Sequence, residues 1–322
     1  MHDHMTHARR HDVHVFRTHV AKKDPTRTTA LRARFTQDVN QRFAKLRRVV
    51  VSAVKDHNIL ALSTNAVPDS RFEFSRDPKK VQEFMKWVNS ETNAHILGTY
   101  KGSTVKSAED AWANVYLDSA YQKGLAQAAS ELRGEGAKVS PTWAQSAFFR
   151  PVHADAIGTI YTRAFDELKG VTSEMSSQMG AVLAQGLAEG RGADQLAKML
   201  ADRVDSIGRT RARLIARTEV ISAHATATLN TYREAGVEGV GVQAEWSTAG
   251  DDDVCPECDA MSGQVFTLDE ADGMIPLHPN CRCSWLPVVD DPSKLSLGEG
   301  PDAADDVSAD DELPADLQDA GD

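Results

Sequence analysis

A mainly helical body carrying a small β-rich, metal-binding module is the fold class this sequence predicts, with a disordered N-terminal arm before it and an acidic, disordered C-terminal tail after it. Three observations predict it. Apolar residues recur at steps of three and four through most of positions 25–236. After Gly236 the pattern changes to two-residue alternation broken by turn residues, as far as Val289. All four cysteines of the chain fall inside that second stretch, beside a histidine.

At 322 residues the chain has room for one large or two modest domains, and 41% hydrophobic content permits a real core. Aromatics make up 6%, so helix packing must rest on Leu, Val, Ile and Ala. No run approaches the ~20 apolar residues that cross a bilayer, and the polar opening lacks the apolar core of a secretory signal. The expectation is a protein used inside a cell or packed into a particle assembled there, without a membrane partner. The net charge of −11 is unevenly spread. Residues 1–60 hold 13 Lys and Arg against 5 Asp and Glu, whereas residues 290–322 hold 12 acids against one Lys. Such ends suit different partners, although an acidic tail also serves simply to solubilise.

The arm, residues 1–24, holds His2, His4, His7, His11, His14 and His19 at irregular spacing, which disfavours a specific metal site. In the helical body, 25–236, a first helix follows Asp24-Pro25. Leu31, Phe35, Val39, Phe43, Leu46, Val50 and Val54 form its apolar stripe. Arg32, Arg34, Arg42, Lys45, Arg47 and Arg48 cover the rest and are candidate contacts for double-stranded DNA or an acidic partner. A loop is expected over Asn65 to Ser75, then a helix capped by Asp77 with Pro78 at its first position and Val81, Phe84, Met85 and Val88 inward. A longer helix is expected from Ser107 to about Gly134 and Gly136, followed by one over Ala154 to Gly190. Asp194 should open a short helix, and Asp205 or Ser206 should cap a separate long one ending at Gly236. The β module, 237–289, should place strands near Val240 to Thr248, Gln264 to Leu268 and Arg282 to Val289. Residues 290–322 form the tail.

Cys255 and Cys258 are spaced as Cys-x-x-Cys, which presents two thiolates from one turn. Cys281 and Cys283 fall on the same side of an extended strand, and His278 lies three residues upstream. Five candidates compete for four tetrahedral positions. Cys255, Cys258 and Cys281 are the expected core of the set, with His278 or Cys283 completing it. Disulfides are disfavoured in a reducing compartment, so structural Zn2+ is the expected cofactor, with no coordination position left for water.

Two enzymatic readings fail on the residues. A zinc deaminase needs an upstream His-x-Glu, and His95, His153 and His224 all lack the Glu. A thiol oxidoreductase needs an activated Cys-x-x-Cys opening a helix, yet Asp251, Asp252 and Asp253 precede this one and would raise the thiol pKa. No catalytic residue is expected. On the preceding helix, Arg213, Arg217 and His224 share a face, while Arg217 and Glu219 stand too far around it to pair. Each of those two must find its partner elsewhere.

Ile215-Ala-Arg-Thr-Glu219, Ala223, Ala225, Trp246, Asp253-Val-Cys-Pro-Glu-Cys258, Gly263-Gln-Val-Phe266 and His278-Pro-Asn-Cys-Arg-Cys283 occur in one order over about ninety residues. In that order and spacing the chain resembles the phage Mu F-protein-like head morphogenesis proteins, also called minor head or minor capsid proteins. The resemblance implies a few-copy virion component that associates with the portal protein and with major capsid or scaffold protein. It also implies help in assembly or DNA ejection, and some members of the family bind DNA. Members often carry two prolines before the motif's His, whereas Pro276-Leu277 stands here. A zinc-containing nucleic-acid-binding protein acting outside the virion is the alternative.

Overall fold

The computed structural model describes residues 24–60, 80–98, 108, 111–236 and 241–298. The expected loop at 65–75, the Asp77-Pro78 cap, the arm before Asp24 and the segment from 299 onward lie outside the described residues.

Helix α1, Thr29–Lys55, begins where Asp24 accepts hydrogen bonds from the Thr29 amide at 2.7 Å and the Thr29 hydroxyl at 2.6 Å. The carboxylate thus satisfies an amide of the first turn from outside the helix. Phe35, Val39, Phe43, Leu46, Val50 and Val54 are buried as their spacing predicts. Helix α2, Lys80–Thr92, buries Phe84 and Val88 and runs into a wider π turn, Asn93–Gly98. Helix α3 spans Asn114–Glu135 and stops at left-handed Gly136 (φ 107°), a backbone state that costs Gly nothing. It starts later than the expected Ser107, and before its first turn the Trp112 indole donates to the Ile96 carbonyl at 3.1 Å. A short strand β1, Lys138–Val139, and a one-turn helix α4, Trp143–Ala147, lead to α5, Pro151–Ala188. These two short elements carry no periodic signal of their own.

Helix α6, Ala193–Ala235, is continuous over 43 residues, which corrects the expected division at Asp205 or Ser206. The apolar face runs without a break through Leu200, Val204, Ile207, Ala212 and Ile215. Asp205 is spent on an ion pair with Arg47 at 3.0 Å instead of capping a helix. α6 packs along its length against α1, α3 and α5, and two glycines set how closely. A Cβ on Gly124 would stand 2.5 Å from the His224 carbonyl oxygen, and one on Gly208 would stand 2.7 Å from the Phe43 ring. Only a hydrogen at each position permits those approaches.

Beyond α6 lies a three-stranded antiparallel sheet in the order β3-β2-β4, made from Val265–Phe266, Val242–Ser247 and Ser284–Val289. All three fall where alternation predicts. In the register Trp246 faces Trp285, and the two buried indoles meet edge to face at 5.2 Å. Tyr232 of α6 donates to Glu131 at 3.0 Å and stands 3.4 Å from the Trp285 carbonyl, which seats the sheet against the helices. Ordered structure continues past the expected boundary at 289. β5, Ser296–Leu297, pairs in parallel with β1, and Leu295 and Leu297 are buried. No described helix is long and apolar enough to cross a membrane.

Candidate metal centre

The module brings its donors together from two loops. After β2 the chain turns at Gly250 (φ 65°) and enters α7, Pro256–Met261, with Cys255 as its N-cap. The Cys255 sulfur accepts the Cys258 amide at 3.3 Å, so the backbone turn itself holds both sulfurs on one side. The second loop follows α8, Leu268–Ala271, a single turn closed by a Thr267–Glu270 capping box. In it the peptide before Pro276 is cis and Ile275 is buried, anchoring the loop. His278 accepts the Cys281 amide through its carbonyl at 3.1 Å, in a turn that places Asn280 at φ 69°. Cys281 and Cys283 are both buried as β4 begins, as period-two alternation requires. Arg282, between them, points away and grips Asp251 with both guanidinium arms.

The imidazole Nε2 of His278 lies 3.0 Å from the sulfurs of both Cys255 and Cys258, and the Cys258 and Cys281 sulfurs are 3.9 Å apart. Cys255, Cys258 and His278 have donor atoms within 4.8 Å of one another, and so do Cys258, Cys281 and Cys283. A zinc tetrahedron has S···S edges of about 3.8 Å and S···N edges of about 3.5 Å. The thiol edge fits, and the histidine need withdraw only slightly. Nδ1 of His278 stands 2.8 Å from the Pro279 carbonyl. Donation there fixes the tautomer that leaves Nε2 bare toward the cysteines, as a metal-bound imidazole requires.

The thiols do not share one environment. A hydrogen bond from Cys283 holds Cys281 down to about 5, while burial pushes Cys258 up to about 12. Giving that hydrogen bond raises Cys283, and the Cys258 amide lowers Cys255. Several thiols packed together cannot all ionise without a cation among them, and a divalent ion supplies that charge. The donor set therefore fits a thiophilic ion such as zinc.

The other predicted residues are distributed around this centre. Trp246 forms the floor of the sheet behind it. Glu219 is buried and paired with Arg163 of α5 at 2.9 Å, and Arg163 also donates to Ser222 at 2.8 Å. Burial raises the Glu219 pKa even so. Arg217 reaches toward the module, with the Asn280 side chain 3.5 Å away, and Arg213 is exposed one turn earlier. His224, on the face expected to be shared with these arginines, is buried against α3, and burial lowers its pKa to about 4.

The six candidate cations of α1 divide. Arg32 is buried against Asp24 at 3.2 Å, Arg42 stacks on the Trp112 ring at 3.8 Å, and Arg47 holds Asp205. Arg34, Lys45 and Arg48 are exposed.

Sequence reasoning did not find the Arg282–Asp251 clasp or a buried polar cluster in the trunk. In that cluster Tyr121 lies 2.8 Å from His153, Asn230 donates to Tyr121 at 3.1 Å, and Arg150 pairs with Glu234 at 2.9 Å. Its members come from α3, α5 and α6, so no local spacing announces them.

Residues 177–286, from within α5 to β4, match the family model described as phage Mu protein F like protein. No curated protein and no solved structure matches the chain.

Proposed function

We propose, from the match of residues 177–286 to the phage Mu protein F like family model, that this chain is a head morphogenesis protein of a tailed bacteriophage. In this reading it is a minor head protein that resides in the virion and binds the portal protein and the major capsid or scaffold protein through its helical trunk. Its work is structural rather than catalytic. The carrying observation is that one family match, over residues 177–286, spans both the long trunk helix and the cysteine module. The exposed Arg34, Lys45 and Arg48 are the proposed non-specific contacts to packaged DNA.

Within the module we assign a structural zinc to Cys255, Cys258, His278 and Cys281, with Cys283 as an outer thiol hydrogen-bonded to Cys281. The His278 tautomer and the Cys283 donation support that division. Zinc supplies the charge that lets several thiolates sit together. The chain's own residues do the rest: Pro279 orients the imidazole, and the Trp246–Trp285 pair backs the loops.

The test is mass spectrometry of purified particles together with affinity capture of the tagged chain alongside portal protein. Presence in particles and co-capture of portal are expected. Absence from both would overturn the reading. Duplex DNA binding that falls steeply with salt, in a protein missing from particles, would favour the alternative outside the virion.

A further inference from the structure

A cleft of about 1210 Å³ lies between α1, α6 and the metal module. Apart from Arg32, its α1 wall is neutral and polar, with Gln37, Asn40 and Gln41 set between the small residues Ala33 and Ala44. The opposite side carries Arg213, Arg217 and Arg282. Arg32 and Arg282 are already matched by Asp24 and Asp251. Arg217 is different. Its one hydrogen-bond neighbour is a neutral amide at 3.5 Å, and no carboxylate among the described residues lies within ion-pair distance of it or of Arg213. Burial and the nearby Arg32, Arg282 and Arg213 all work against its charge. Two guanidinium groups on successive turns of one helix, facing a wall of amides, form a receptor for oxyanions spaced along an extended strand. Because these cations stand inside a cleft and not on a ridge, a single strand fits them better than a duplex does.

The chain itself carries such a strand. Residues 299–322 hold ten Asp and Glu and no Lys or Arg. Fully extended, these 24 residues span about 80 Å, longer than α6 at about 64 Å. The segment therefore reaches the cleft from Gly298. Tethering also raises its local concentration to roughly the millimolar range. Asp252 and Asp253 at the module lip confine an anionic occupant to the end lined by α1 and α6. We propose that carboxylates of segment 299–322 dock in this cleft on Arg213 and Arg217. This proposal is independent of the virion reading.

The full-length chain carrying R217K keeps the positive charge and gains a primary amine in the cleft. A zero-length carbodiimide joins that amine to a touching carboxylate as an amide, with loss of water. Peptide mapping should find the introduced amine joined, within one chain, to acids between Glu299 and Asp322. The yield should fall on the order of tenfold in 0.5 M salt, where screening shortens the reach of charge to a few ångströms. Absence of any such link, or links only to Asp24 or Asp251–Asp253, would overturn the proposal. Links found only between two chains would identify a second copy as the occupant and overturn it too. In a parallel arm, R213E/R217E in the full chain should speed cleavage of the segment by an Asp-directed protease several-fold. An unchanged rate counts against docking. Arg217-dependent retention of a duplex oligonucleotide, equally strong whether the segment's acids are intact or changed to amides, would assign the cleft to nucleic acid instead.

Discussion

The trunk and the metal module solve the same problem by different means. α6 places a continuous apolar face against three other helices, so the trunk is held by burial spread over dozens of residues. The module has three short strands, two of its helices are a single turn or little more, and its central contacts are one tryptophan pair and five Cys and His side chains. Spread burial degrades gradually when one contact is lost, whereas a clustered centre fails as a unit.

Metal removal should break that contrast most sharply. Structural zinc contributes roughly 10–16 kcal/mol to small zinc domains. Strong chelator, or Cys258→Ser, should therefore abolish the near-ultraviolet dichroism of the Trp246–Trp285 pair while most helical signal survives. Equal loss of both signals would show one cooperative unit. In the trunk, Gly124→Ala forces a methyl against the His224 carbonyl and should cost about 3 kcal/mol. The check is a lower thermal midpoint with metal content unchanged.

Arg163→Met leaves Glu219 buried without its cation. Discounted for the partial exposure of Arg163, the cost should be about 1–2 kcal/mol. The pH dependence has a definite sign. The Glu219 pKa is raised in the folded state, so its contribution to stability is best at low pH. That contribution falls as pH rises from the unfolded value of 4.5 through the folded one. Arg163→Met should widen that window upward, and Glu219→Gln should remove it. Carboxyl titration by NMR reads both outcomes.

At the small end, Thr267→Ala removes a cap from α8 and should cost about 1 kcal/mol in the metal-loaded protein, where the module is folded. In metal-free protein, where the module has already lost its fold, it should cost almost nothing. Least of all, Arg47→Ala breaks a half-exposed pair and should shift stability by less than about 1 kcal/mol. A much larger effect would mean that α1 and α6 depend on that pair and not on Phe43 and Gly208.

Much of the Cys/His cluster was legible because its members are local. Cys-x-x-Cys needs only one turn, and Cys281 and Cys283 need only one strand, so spacing alone announced them. The helical stripes of α1 and α5 were legible for the same reason, since a buried face imposes its own period. The supposed break in α6 was misread because Asp205 looks like a cap in isolation, and only α1 across from it supplies the Arg47 that claims it.

The sequence by itself therefore determined the apolar stripes of the long helices, the three strands of the module and the grouping of its cysteines and histidine. Each of these follows from residues within a few positions of one another. Tertiary structure alone decided that Glu219 meets Arg163, that Arg32, Arg42 and Arg47 of α1 find partners within the chain, that β5 closes on β1, and that Arg217 stands in a cleft near Arg32, Arg213 and Arg282. Those outcomes depend on which distant segments become neighbours, and the sum of packing over the whole core, not any local spacing, makes that choice.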